Sequence, residues 1–305
     1  MKDAPTEMPP QIVTLIAAAG AEDALRDAVA GWDADWLGPG ACDLAAGEEE
    51  ARAAIAGRPI DIVIQPAIGQ PAAGRRKRLL VADLESTIIE NEMLEELADF
   101  LGLRETVAEI TRRAMNGEID FVAALGERVA LLRGLPESVL DESATRIRLM
   151  PGARALIATL RRAGVTTALV SGGFTVFAER VAAELAFDRV VANRLEVAGG
   201  RLAGTVAPPI ITGAAKLDTL HSLAAELGIS LAETLAVGDG ANDLPMLQAA
   251  GLGIAFRAKP AVAAAARWRI DHADLTALLY AQGYREDEIC RPGESPARLF
   301  DTRDG

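Results

Sequence analysis

The chain has 305 residues, half of them hydrophobic and a quarter charged, with a formal net charge of -13 and two cysteines. That length supports one substantial core with one or two smaller units, and the composition excludes a disordered chain. The acidic balance leaves no general attraction for nucleic acid or for an anionic membrane, so neither is expected as a partner.

Residues 1–10 are polar and carry prolines, unlike a secretory signal, and no apolar run approaches the ~18 residues of a spanning helix. Cys42 and Cys290 make no metal-ligand spacing, which suits a reduced cytoplasmic compartment. A β-rich run at 12–16, helical spacing at 21–30, a turn at Gly38-Pro39-Gly40 after Trp36-Leu37, a helix over 47–55 and a strand over 60–64 predict a small α/β unit. Residues 65–78, with Pro66, Gly69, Pro71 and Gly74, read as a linker, which bounds an N-terminal domain at 1–74. The basic run Arg75-Arg76-Lys77-Arg78 inside it is expected to be a solvated linker face rather than a nucleic-acid patch.

Residues 79–82 form a short apolar run followed at once by charge, the pattern of a buried parallel strand that ends at a site. Residues 90–148 show helical spacing throughout, as in Met93, Leu94, Leu97 and Phe100, and again in Phe121, Leu125, Val129 and Leu132. They read as an all-helical insertion. Strand and helix then alternate: helix 151–163, strand 166–170, helix 174–185, strand 189–191, helix 216–227, strand 234–237, helix 243–250 and strand 252–256. Alternation of this kind predicts a doubly wound parallel sheet with helices on both faces, within a unit spanning 75–289. Residues 290–305, polar and carrying Pro292 and Pro296, read as a disordered tail.

In an open α/β sheet, ligands bind beyond the carboxyl ends of the strands. Asp83, Glu85, Ser171, Asp239 and Asp243 all fall at such ends. Four acidic groups gathered there repel one another unless a cation joins them, and an all-oxygen donor set favours a hard ion such as Mg²⁺ over zinc. A carboxylate beside a metal-bound phosphate suits phosphoryl transfer: Asp83 attacks phosphorus and a neighbouring carboxyl serves as acid and base. Lys216 supplies positive charge, while Ser171 and the Gly172 amide can hold phosphate oxygens. His221 and His272 form no recognisable metal pair, and neither Gly238-x-Gly240 nor Gly251-x-Gly253 continues to the third glycine of a dinucleotide loop.

Four segments, in order, carry a resemblance: Asp83-Leu84-Glu85-Ser86-Thr87, Ser171-Gly172-Gly173-Phe174, Lys216, and Gly238-Asp239-Gly240-Ala241-Asn242-Asp243. Together they resemble the haloacid-dehalogenase superfamily. The Glu92 segment, the 115–135 stretch with Arg128, and Ala192-Asn193-Arg194-Leu195 resemble its phosphoserine phosphatase family, over about residues 79 to 280. The resemblance implies a Rossmannoid core with a helical cap at about 90–148 and an ACT-like N-terminal domain. It implies hydrolysis of O-phospho-L-serine as the last step of serine biosynthesis, through an aspartyl-phosphate intermediate.

In those terms Asp83 is the nucleophile and Glu85 the general acid/base. Asp83, the main-chain oxygen of Glu85 and Asp239 hold Mg²⁺, with Asp243 behind them. Ser171, Gly172, Lys216 and Asn242 surround the phosphate. Glu92 and Arg128, from the cap, bind the amino and carboxylate ends of serine. An arginine can grip a carboxylate with two parallel bonds, which fits that role independently. The family pattern has Asp-x-Asp where this chain has Asp83-Leu84-Glu85. Two other readings stay open: a phosphatase or phosphotransferase of the same superfamily for another small phosphomonoester, or, owing to Glu85, an inactive phosphoserine-binding sensor. For the N-terminal domain, two roles are open by analogy: binding an amino-acid effector, or forming a homodimer interface.

Overall fold

Period-two alternation governs the N-terminal sheet. In the computed structural model, which describes residues 11–66, 74–115 and 118–291, β1 (Gln11–Ala17), α1 (Glu22–Ala28), β2 (Ala34–Gly38), β3 (Ala41–Leu44), α2 (Glu48–Ile55) and β4 (Ile60–Pro66) follow in order. The strands form an antiparallel sheet in the order β2-β3-β1-β4. Val13, Leu15 and Ala17 face one way and pack with Leu25 of α1 and Ile55 of α2. Ile16, on the opposite face, joins Leu37, Ala41 and Val63 in the main core of the following unit. Both faces of this small sheet are therefore buried. β3 was not expected from the sequence, because Asp43 interrupts its short apolar run; the strand tolerates that charge only through a partner from elsewhere.

The partner is Arg75, and it corrects the reading of 65–78 as a solvated linker. Arg75 Nη1 donates to Asp43 Oδ1 at 3.0 Å and to Thr14 Oγ1 at 3.1 Å, and Arg75 is 4 % exposed. Lys77, also buried, donates to the Ala232 carbonyl at 2.9 Å. Arg76 pairs with Glu288 at 2.8 Å and lies over the Tyr284 ring, while Arg78 reaches Glu233 at 3.2 Å. Gln65 is buried in β4 and donates to the Ala281 carbonyl. The composition suggested solvent; the side chains instead find carboxylates and carbonyls remote in sequence. The proline- and glycine-bearing residues 67–73 of that stretch lie outside the described residues, as do 1–10, 116–117 and 292–305.

The second unit begins at β5 (Leu79–Ala82), then the helices α3 (Met93–Asp99), α4 (Arg104–Met115), α5 (Phe121–Ala130) and α6 (Ser138–Ala144). After them come α7 (Ala153–Arg162), β6 (Thr166–Phe174), α8 (Thr175–Leu185), β7 (Arg189–Ala198), β8 (Arg201–Ala207), α9 (Gly213–Glu226) and β9 (Thr234–Gly238). α10 (Leu244–Ala249), β10 (Leu252–Phe256), α11 (Pro260–Ala265), β11 (Trp268–Ile270) and α12 (Ala277–Tyr280) complete it. The sheet order is β11-β10-β9-β5-β6-β7-β8, parallel except for the antiparallel β7–β8 pair.

All four residues of β5 are fully buried, as a strand covered on both faces requires. Leu80 and Ala82 face the layer containing Leu156 and Phe177, whereas Leu79 and Val81 face the layer containing Leu220 and Met246. The doubly wound α/β architecture expected from the alternation is what the chain adopts.

The helical insertion leaves and returns side by side: Glu90 N–H donates to the Arg148 carbonyl at 2.8 Å and Met150 N–H to the Ile88 carbonyl at 2.9 Å. The β7–β8 hairpin went beyond the expected strand at 189–191, because Arg194 and Glu196 mask its alternation. It props the insertion from below, with Gly134 N–H on the Leu202 carbonyl and Glu137 N–H on the Gly200 carbonyl, both at 2.9 Å. At the other end, Cys290 is buried and its N–H donates to Thr159 Oγ1 at 2.8 Å. It therefore belongs to the packed unit rather than to a tail. Among the described residues no helix is long and apolar enough to cross a membrane.

Candidate active site

Two neighbouring strand ends meet at one acidic cluster. β5 delivers Asp83, whose N–H donates to the Val237 carbonyl of neighbouring β9, and β9 delivers Asp239. Asp243 follows on the turn into α10. Its carboxylate accepts Gly240 N–H at 3.0 Å and lies so close to Gly238 that a Cβ there would sit 2.3 Å from Asp243 Cγ. Only glycine admits this fold-back. Carboxylate oxygens of Asp83, Asp239 and Asp243, all buried, lie within 4.8 Å of one another.

Lys216, carried near the start of α9, holds this cluster together. Thr212 caps the helix by accepting Ala215 N–H, which aims Lys216 inward. Its Nζ donates to Asp83 Oδ1 at 2.6 Å and to Asp243 Oδ1 at 2.7 Å, and the side chain is fully buried. Burial disfavours the ammonium, but the two carboxylates outweigh it and hold Lys216 protonated. Burial likewise pushes the Asp83 carboxyl above its ordinary value, with Lys216 opposing, and raises Asp239 to about 6.

A cavity of about 60 Å³ opens above the cluster. The ten residues that the sequence assigned to a site gather at it. Asp83, Glu85, Asp239 and Asn242 line it from the sheet, Ser171 and Gly172 from the bulged end of β6, and Glu92 and Arg128 from the cap; Lys216 and Asp243 lie directly beneath. Two larger clefts, of about 360 Å³ beside Arg161 and Arg189 and about 340 Å³ beside Asp61 and Arg267, hold no such cluster.

Glu85 joins core to cap. One carboxylate oxygen accepts the N–H of Met93, the first residue of α3, at 2.8 Å. The other oxygen lies where a Cβ on Gly173 would be 2.8 Å away. The longer acid thus has both a donor and room made by a glycine. Burial, then the Glu92 charge, push its carboxyl up to about 8. Glu92 accepts from Ser86 Oγ at 2.7 Å; Ser86 sits at φ 54, in the left-handed region. Arg128 is 7 % exposed and fixed by the Ala124 carbonyl at 3.1 Å and Thr111 Oγ1 at 2.9 Å.

The donor set fits a hard divalent ion: the three gathered carboxylates are all oxygen donors, with no thiolate or imidazole among them. The model of the haloacid dehalogenase-like hydrolases matches residues 80–248. The chain belongs to this family.

Similar proteins lie within that match. A phosphoserine phosphatase of Mycobacterium tuberculosis is 46% identical over 217 residues, covering 71% of this chain and 53% of its own. One from Lactococcus lactis is 47% identical over 203 residues, covering 67% of this chain and 94% of its own. The chain therefore spans about half the length of the mycobacterial relative. Among solved structures, a phospho-aspartyl intermediate analogue of phosphoserine phosphatase superposes with a TM-score of 0.64 at 39% identity, covering 67% of this chain and 98% of that one.

In this haloacid dehalogenase-like hydrolase, two supporting residues had no site role in the sequence, although Asn193 stands in one of the segments that carry the resemblance. Asn193, 1 % exposed, donates to the Gly172 carbonyl at 2.8 Å and accepts Ile211 N–H at 2.8 Å, so it pins the Ser171-Gly172 loop. Thr111 orients Arg128. Their signal was faint: a buried amide in a strand, and a threonine four residues after Val107 in an ordinary helix.

Proposed function

We propose that this chain is a phosphoserine phosphatase that hydrolyses O-phospho-L-serine through an aspartyl phosphate on Asp83, the last step of serine biosynthesis. One observation carries the reading: an acidic cluster tied by Lys216 faces, across one small cavity, a cap-borne Arg128 and Glu92. Those two side chains are complementary to the carboxylate and ammonium of a free amino acid. The relatives named above support the same substrate. The cavity is small, about 60 Å³, which suits a cap that opens to admit substrate and closes to exclude solvent.

Mg²⁺ held by Asp83, the Glu85 main-chain oxygen and Asp239 would neutralise phosphate oxygens. Asp83 attacks phosphorus in line; a phosphorus–oxygen bond to Asp83 forms as the bond to the serine oxygen breaks. Glu85, kept protonated by its raised affinity for protons, gives that proton to the departing oxygen. It then accepts a proton from the water that attacks phosphorus, which frees phosphate and restores Asp83. Ser171, the Gly172 amide and Asn242 hold phosphate oxygens, Lys216 keeps the Asp83 carboxylate aimed, and Asp243 anchors Lys216.

Residues 1–74 form an ACT-like domain, 75–289 the catalytic unit and about 90–148 its cap in this reading. The N-terminal sheet offers no open face, since Ile16, Leu37, Ala41 and Val63 are covered by the catalytic unit. A homodimer or an amino-acid effector would use its helices or edges instead. Two buried free thiols suit a cytoplasmic location.

The deciding experiment is phosphate release from L-phosphoserine with Mg²⁺, run beside Asp83→Asn. Release that needs both, with preference over simple monoesters, upholds the reading. Equal turnover of monoesters lacking an amino group would replace it with a broader phosphatase, and binding without release with a sensor.

A further inference from the structure

Lys259 is a third cation at the cavity, and the sequence reading had no role for it. It follows β10, where Arg257 at φ 44 turns the chain back over the end of the sheet. Its N–H donates to the Asp239 main-chain carbonyl at 3.3 Å, and its ammonium lies 3.4 Å from Asp239 Oδ2. Pro260 then starts α11. Lys259 is thus attached to the Asp239 segment through both backbone and side chain, with its long arm still 41% exposed.

The other two cations are each held by groups of the protein. Lys216 is fully buried between two carboxylates, and Arg128 is braced by the cap. Against them the cavity presents Asp83, Glu85, Glu92 and Asp239, a poor environment for a phosphate dianion. At 3.4 Å, the Asp239 contact is longer than a tight charge-assisted hydrogen bond of about 2.7–2.9 Å. Lys259 lines the same cavity as Asp83, Ser171, Gly172 and Asn242, the groups assigned to the phosphoryl group.

We propose that Lys259 is a phosphate-positioning residue whose ammonium contacts a non-bridging oxygen of the phosphoryl group and steers it onto Asp83. The proposal rests on the phosphatase reading above. Mg²⁺ held by Asp239 would offset that carboxylate's charge, and the flexible Lys259 arm has the freedom to reach the phosphate instead. Lysine serves here as a flexible point charge, where arginine would need a fixed fork.

The test uses the full chain and the variants Lys259→Gln and Lys259→Arg. Affinity for inorganic phosphate with Mg²⁺ present is measured by calorimetry, Mg²⁺ affinity without phosphate is measured separately, and kcat and KM are measured with phosphoserine. Lys259→Gln should weaken phosphate binding by about five- to ten-fold, the low end for a charge-assisted contact because the group is partly exposed. KM should rise, Mg²⁺ affinity should hold, and Lys259→Arg should recover most of the loss. Phosphate affinity within about two-fold of wild type in Lys259→Gln overturns the proposal. So does a loss that tracks weakened Mg²⁺ binding, which would make Lys259 a prop for Asp239. Phosphate binding by wild type without phosphoserine turnover sinks the substrate reading while these affinities still decide Lys259. No phosphate binding by wild type overturns both.

Discussion

Glu85 sits where one methylene decides whether a carboxyl can serve as acid and base. Misplacement by about an ångström can cost ~100-fold, yet here one oxygen is held by the Met93 amide and the other fits in the room left by Gly173. With its carboxyl raised to about 8, Glu85 is protonated at neutral pH and able to donate. Turnover should therefore fall as pH rises through about 8, and Glu85→Gln should remove that limb along with most activity; a pH profile of kcat checks both. Gly173→Ala would press a methyl onto the Glu85 carboxyl, which can swing aside. Its expected mark is a kcat lower by about ten-fold or more with little change in melting temperature, read by kinetics beside thermal unfolding. Arg128→Lys keeps the charge but loses the fork, so KM should rise by about ten-fold with kcat little changed.

At the scale of elements, the site is an agreement between the cap, the bulged end of β6 and the β7–β8 hairpin. α3 begins on the Glu85 carboxyl group, so the placement of the helical insertion and that of Glu85 are coupled. Asn193 ties the Gly172 carbonyl to the Ile211 amide across two connections. Replacing Asn193 with alanine leaves two buried backbone groups unpaired, a cost of about 1–3 kcal/mol for each group. The fall in unfolding free energy should come with a lower kcat/KM for phosphoserine, because the Ser171-Gly172 loop loses its anchor. Unchanged kcat/KM in a destabilised Asn193→Ala would confine Asn193 to folding.

Over the whole molecule, the N-terminal domain is fastened rather than tethered. Asp61 accepts N–H groups from Asp271, His272 and Ala273, Arg285 pairs with Asp35 at 2.8 Å, and Arg75 reaches Asp43. Arg75→Ala strands the Asp43 carboxylate in a buried place and should cost about 3–5 kcal/mol. Chemical denaturation should then split into two transitions, the N-terminal domain unfolding first. A single transition at unchanged midpoint would show the ion pair to be dispensable.

Local pattern was enough for much of this. The fully buried β5, the alternation of strand and helix, and the acids at strand ends were legible because each is set by neighbours within a few residues, and all ten candidate site residues converge as that pattern requires. β3, the polar hairpin β7–β8 and the burial of Arg75 and Lys77 were not. A charged or polar side chain looks solvated until a distant partner is known, and Asp43 meets Arg75 only once the chain has folded. The raised Glu85 carboxyl and the reach of Lys259 to Asp239 belong to the same class. Sequence by itself determined which groups the site contains; tertiary structure decided their charge states and distances, because desolvation and Coulomb forces act through space and not along the chain.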